Sequence, residues 1–311
     1  MPSIPSLEWK LYQQMYLIRR TEETLLDLFS QGALFGTVHT CIGQEACAVG
    51  VVNAIDCEKD VIWSNHRGHG HYLSYSDDVE GLIAEIMGRE TGVCRGVGGS
   101  QHLHQQNFYT NGILGGTVAC AVGAGLAEKK KGTGAIAVAF LGDGAMGEGI
   151  IYESLNMASL WDVPILFAFE HNQYAQSTPT KLEHAGQLSD RPKAFNIETR
   201  EIKADNVIAV HKAAQECVHR IRQTQRPQFL VMHTYRFAPH SKGDDFRPRK
   251  EIETYKRNDP LTHLRWALTQ INESQVAVLE TEIDLRIDEA VQSAKNAKSL
   301  SWDSFCKEGI K

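Results

Sequence analysis

Asp143, set between two glycines, and Asn172, at the end of an apolar run, are the residues of this chain best placed to hold a cation. The apolar run 135–141 reads as a buried strand broken by Gly142-Asp143-Gly144. A helical segment is expected from about 146 to 161, where Pro164 stops it. A second buried strand, 165–169, then delivers Glu170-His171-Asn172-Gln173-Tyr174. Strand, helix and strand form one parallel crossover unit, so both polar tips lie at the carboxyl edge of the sheet and face one crevice. One carboxylate, one amide oxygen and a backbone carbonyl suit Mg2+, which takes hard oxygen ligands and completes its octahedron with phosphate oxygens. The glycines let backbone approach the ligand, and the following helix offers its amino terminus to an anion. Alone, Gly-Asp-Gly is also a common turn; the strands and the terminal Asn set it apart from one.

Gly142-Asp143-Gly144, 27 further residues and then Asn172 resembles the thiamine diphosphate motif. The residues around it, Asn156-Met157-Ala158-Ser159-Leu160-Trp161 and Asn172-Gln173-Tyr174 among them, resemble the alpha subunit of 2-oxo acid dehydrogenase E1 components, over about 11–260. The resemblance implies an α/β thiamine diphosphate-binding fold, with a doubly wound, mostly parallel sheet flanked by helices over 1–258. A helical C-terminal extension, 259–311, is expected to pack on it or on a partner. The implied cofactors are thiamine diphosphate and Mg2+, the metal held by Asp143, Asn172 and the carbonyl of Tyr174.

Other stretches complete the implied site. Arg67, within His66-Arg67-Gly68-His69-Gly70-His71, suits a diphosphate as a guanidinium fork, with His66 where the family has Tyr. Zinc is the competing reading of three imidazoles in six residues, but no cysteine or carboxylate is spaced to complete it. His69 and His71 are expected to line the mouth of the site. The resemblance assigns Gly112 and Leu114 to the aminopyrimidine ring through their backbone, and adds Gly144 and Ala145 to the diphosphate side. His39, four positions before Gly43-Gln44-Glu45, is implied to bind substrate, and His240, in a charged loop, to reach the cofactor. His39, His69 and His240 form the expected catalytic set. The glycine-rich stretch 92–102 resembles a nucleotide loop, but no strand precedes it and Gly-x-Gly-x-x-Gly does not fit, which disfavours dinucleotide binding.

At 311 residues the chain can bury one large α/β core, and a net charge of −6 gives no basic footprint for nucleic acid or anionic membrane. Seven cysteines without a Cys-x-x-Cys pair, no leader-like start and no membrane-length apolar run point to a cytoplasmic protein. The implied activity is decarboxylation of a 2-oxo acid, or cleavage of acetoin, with transfer of the acyl group to a lipoylated E2. An E1 beta subunit would complete the active site in an α2β2 assembly. A carboligase on the same cofactor without E2 is the alternative, and a non-catalytic scaffold is a third reading.

Overall fold

The computed structural model describes residues 6–34, 36–241, 243 and 245–308; Lys242 and Asp244 of the charged loop lie outside them, as do both chain ends. The strands are β1 (Val61–Ser64), β2 (His104–Gln105), β3 (Phe108–Thr110), β4 (Ala137–Gly142), β5 (Ile165–His171), β6 (Tyr174–Ala175), β7 (Thr178–Pro179), β8 (Glu198–Lys203) and β9 (Gln228–His233). Seven of them form one sheet in the order β2-β3-β1-β4-β5-β9-β8, parallel except for the β2–β3 pair. The helices that cover it are α1 (Leu7–Ser30), α2 (Glu45–Val52), α3 (His69–Ser76), α4 (Val79–Ile86), α5 (Leu114–Lys131) and α6 (Gly149–Leu160). They continue with α7 (Thr180–Glu183), α8 (Val207–Thr224), α9 (Arg249–Lys256), α10 (Pro260–Asn296) and α11 (Trp302–Glu308). No helix among the described residues is long and apolar enough to cross a membrane.

Period-two alternation divides the central strands between two apolar layers. Val138 and Phe140 of β4, Leu166 and Ala168 of β5, and Leu230 and Met232 of β9 enter a core shared with α1, α2, α4, α8 and α10. Ala139 and Leu141, Phe167 and Phe169, and Phe229 and Val231 enter the opposite core, against α5 and α6. With both faces covered, β4 and β5 are apolar over 137–141 and 165–169, and their register runs from Ala137 opposite Ile165 to Gly142 opposite Glu170. The expected crossover is therefore present, with one change. A 3-10 turn, Ala145–Gly147, and an extended Glu148 precede α6, so the helix begins three residues later than the sequence suggests. The C-terminal helix α10 joins the first core through Leu268, Ile283 and Ile287. Arg19 of α1 anchors its start, bonding both carboxylate oxygens of its N-cap Asp259 at 3.1 Å and Glu45 Oε1 at 2.5 Å.

The glycine-rich stretch does cradle an anion, but the anion is the chain's own. The fully buried Glu85 carboxylate accepts backbone N–H bonds from Cys94 (2.7 Å), Gly96 (2.8 Å), Gly98 (2.7 Å) and Gly99 (3.1 Å). Gly96 and Gly99 have positive φ, and a Cβ on Gly92 would strike Glu85 itself, so the glycines serve this wrap. Glu85→Gln places an NH2 group against some of those N–H donors. The substitution is expected to cost at least about 1–3 kcal/mol, the penalty for unsatisfied buried groups. Urea unfolding measures it, together with faster amide exchange at 94–99; an unchanged midpoint would refute the account.

Candidate functional site

Five parallel strands bring their carboxyl ends to one edge, and the polar residues that follow them converge there. β1 leads to Asn65, His66 and Arg67; β3 to Gly112; β4 to Asp143; β5 to Asn172; and β9 to Arg236 and His240. Together with His39, Leu114, Gly144, Ala145 and Tyr174 they line a cleft of about 760 Å³. In open parallel sheets ligands bind in this position.

Asp143 is held from several sides. Its Oδ1 accepts from His171 Nδ1 (2.5 Å) and Thr180 Oγ1 (2.8 Å), and its Oδ2 accepts the Asn172 N–H (2.8 Å). His184 Nε2 donates to the Asp143 carbonyl at 3.0 Å. A carboxylate has about four acceptor positions, so one on Oδ2 is left for a cation. Asn172 Oδ1 accepts the Tyr174 N–H (3.1 Å), and its amide nitrogen donates to Gln44 Oε1 (3.1 Å). This orients the amide oxygen and keeps a second lone pair on it.

Arg67 is buried, and its guanidinium donates to the Thr40 carbonyl and to His240 Nδ1 (3.3 Å). Burial, followed by the charge of Arg67, holds the His39 imidazole down at about 3 and pushes His66 well below the ordinary range. Both rings are therefore neutral at pH 7. His39 Nδ1 accepts from Gln101 Nε2 at 3.3 Å, which leaves the proton on Nε2. Among the described residues, the buried Gln44 Nε2 and His66 Nδ1 have no hydrogen-bond partner, and both residues line the cleft. Oxygen donors for a hard cation, a buried guanidinium and unmatched polar atoms fit a magnesium-bound diphosphate.

Two expected positions are corrected. His69 does not line the mouth: it is fully buried, with Nδ1 donating to Glu22 Oε2 and Nε2 to the Ser100 carbonyl, both at 3.0 Å. His71 is also buried, bonded to Ser64 Oγ at 2.8 Å and stacked on Phe140. The cause is α3, which starts at His69 and turns the two rings to different faces behind the strand end. The local zinc arrangement of His66, His69 and His71 is thereby dispersed. The sequence reading assigned no role to Gln44, Asn65, Gln101, Glu148, Glu170 or Arg236, all of which line the cleft. Asn65 and Glu170 carried a usable signal, since each sits at the carboxyl end of a strand beside a recognised residue.

The dehydrogenase E1 component family matches residues 13–302. The acetoin:2,6-dichlorophenolindophenol oxidoreductase alpha subunit of Bacillus subtilis is 35% identical over 295 residues, covering 92% of this chain and 88% of that protein. The pyruvate dehydrogenase E1 alpha subunit of Zymomonas mobilis is 35% identical over 297 residues, covering 93% and 84%. The corresponding acetoin protein of Cupriavidus necator is 36% identical, covering 92% and 89%. A cleft at the carboxyl edge of a parallel sheet and similarity along nearly the whole chain agree: the protein belongs to the dehydrogenase E1 component family, among its alpha subunits.

Proposed function

We propose that this chain is the metal- and diphosphate-holding half of a thiamine diphosphate- and Mg2+-dependent E1 enzyme. It decarboxylates a 2-oxo acid, or cleaves acetoin, and passes the acyl group to a lipoylated E2. The observation that carries this reading is the convergence of Asp143, Asn172 and Tyr174 with Arg67 in one cleft. Asp143, Asn172 and the Tyr174 carbonyl would hold the metal. Arg67, His66, His240, Gly144 and Ala145 would hold the diphosphate, and Gly112 and Leu114 the aminopyrimidine.

When bound, thiamine diphosphate supplies an electron sink for breaking the bond beside the substrate carbonyl. The chain's residues position and protonate. Neutral His39 offers an Nε2 proton to a substrate oxygen, held in that tautomer by Gln101 on Nδ1. Arg67, braced by Thr40 and His240, meets phosphate charge without reorganising. Ile113, between two cleft residues, is 70% exposed and Leu182 of the cleft wall is 73% exposed. Apolar side chains at the rim of a polar cleft support closure by a second subunit, the E1 beta chain of an α2β2 assembly.

The test is turnover by this chain with its beta partner, thiamine diphosphate and Mg2+, read with an artificial electron acceptor. Pyruvate, 2-oxobutyrate, branched 2-oxo acids and acetoin form the panel. Acceptor reduction with one substrate is expected, and none by this chain alone. Carbon dioxide or a new ketol without acceptor reduction would replace this reading with carboligation; full activity of the isolated chain would overturn the shared site.

A further inference from the structure

We infer that His39, His66 and His240 form a binding site for a borderline-soft divalent cation of the Zn2+ class, separate from the oxygen donors of Asp143 and Asn172. The inference goes beyond the proposed function and does not depend on it. The three residues come from different segments: the approach to α2, the end of β1 and the irregular stretch after β9. One ring nitrogen from each lies within 4.8 Å of the other two. The ring centroids stand 4.8 Å (His39–His66), 4.7 Å (His39–His240) and 5.6 Å (His66–His240) apart.

Three imidazoles with a fourth position open are the ligand set that catalytic zinc sites use, and one that Mg2+ does not favour. The buried Nδ1 of His66 has no hydrogen-bond partner among the described residues. Gln101 on His39 Nδ1 is a ready outer partner, because turning its amide lets its oxygen accept Nδ1–H and frees Nε2 for the metal. Zn–N bonds of about 2.0–2.1 Å bring ligand nitrogens to roughly 3.4 Å, so the trio must contract by about 1 Å or more. His240 stands on irregular backbone, which adjusts more readily than a strand end. Among the described residues the charges facing the trio are Arg67, Arg236 and the His69 imidazolium, and a cation must displace the Arg67 bond to His240 Nδ1. Their repulsion makes this site weaker than a structural zinc site.

The experiment titrates the full-length chain, without thiamine diphosphate and with excess Mg2+ present. Zn2+ binding is measured by calorimetry, and Co2+ reports geometry through its visible absorption. A single equivalent with a tetrahedral Co2+ spectrum is expected. His39→Phe and His66→Phe should each weaken binding by more than the roughly 10–100-fold that loss of an outer partner costs. His263→Ala, at an exposed imidazole elsewhere, and Asp143→Asn should leave it unchanged. Thermal melting confirms folding, and His66→Gln replaces His66→Phe if that variant melts early. Absence of binding, affinity unchanged from the parent in both histidine variants, or loss in Asp143→Asn alone would each overturn the inference. The last outcome would place the cation on the oxygen donors.

Discussion

Asp143→Ala is expected to lose Mg2+-dependent thiamine diphosphate binding, and with it all turnover, while the sheet stays folded. In the proposed site the carboxylate ties three elements to the cation position. It receives His171 from the end of β5, the Asn172 N–H beside it, and Thr180 from the start of α7. On the proposed reading, removing it deletes one metal ligand and releases the second, because the Asn172 backbone loses its anchor. Affinity should therefore fall by more than the roughly 10–100-fold typical of an outer partner. The strands do not depend on it: five residue pairs of the β4–β5 ladder, Ala137–Ile165 to Leu141–Phe169, lie below the site and are buried and apolar. Calorimetry of thiamine diphosphate binding with and without Mg2+ reads the effect, and far-UV circular dichroism reads the fold. His171→Asn is the milder companion. It keeps a short polar donor beside Asp143, and a smaller loss would show that the imidazole orients the carboxylate. Binding within a few-fold of the parent in Asp143→Ala would remove this residue from the metal site.

What the sequence made legible follows from which interactions are local. β4 and β5 are recognisable because burial on both faces forbids polar residues, and the tips that follow are fixed by the chain direction. Asp143 and Asn172 could thus be placed in one crevice from pattern alone. His39, Arg67 and His240 reach the same cleft from segments that share no spacing, and only the family resemblance brought them together. β8 was missed because it is an edge strand whose side chains are mostly charged and exposed, so neither alternation nor apolar content marks it. The whole of α3 was missed because its opening His69-Gly70-His71 carries no helix-favouring pattern; tertiary contacts supply what propensity lacks. In the glycine-rich stretch the backbone N–H groups of Cys94, Gly96, Gly98 and Gly99 are taken up by a side chain. That side chain, Glu85, lies on the preceding helix, and no motif advertises a carboxylate that a loop will wrap. His171 shows the same limit, since its bond to Asp143 depends on strand register.

His69→Phe is expected to destabilise the protein by about 3–5 kcal/mol, the cost of stranding one member of a buried ion pair. Both His69 nitrogens face acceptors, the Glu22 carboxylate and the Ser100 carbonyl, so both must carry protons and the ring is an imidazolium. Burial alone would push its pKa down; the Glu22 charge and hydrogen bond, aided by the Ser100 carbonyl, reverse that and hold it above the usual histidine range. Glu22 also accepts the Cys41 N–H at 2.8 Å, so the pair joins α1 and α3 to the backbone at Cys41 and Ser100. The sign of the pH effect follows. A raised folded pKa gives stability that is complete below the unfolded value of about 6.5 and is lost as pH rises through the folded value. Urea unfolding of the parent should therefore weaken with rising pH above about 6.5, and His69→Phe should lack that component of the slope. A loss of this size matters against a typical total of about 5–15 kcal/mol. The double variant Glu22→Leu/His69→Phe discriminates further. Removing both charges should recover part of the loss, though the Cys41 N–H and the Ser100 carbonyl would remain unpaired. If His69→Phe instead unfolds like the parent at every pH but loses turnover, the imidazole acts in catalysis after all, and the buried pair is not what fixes it in place.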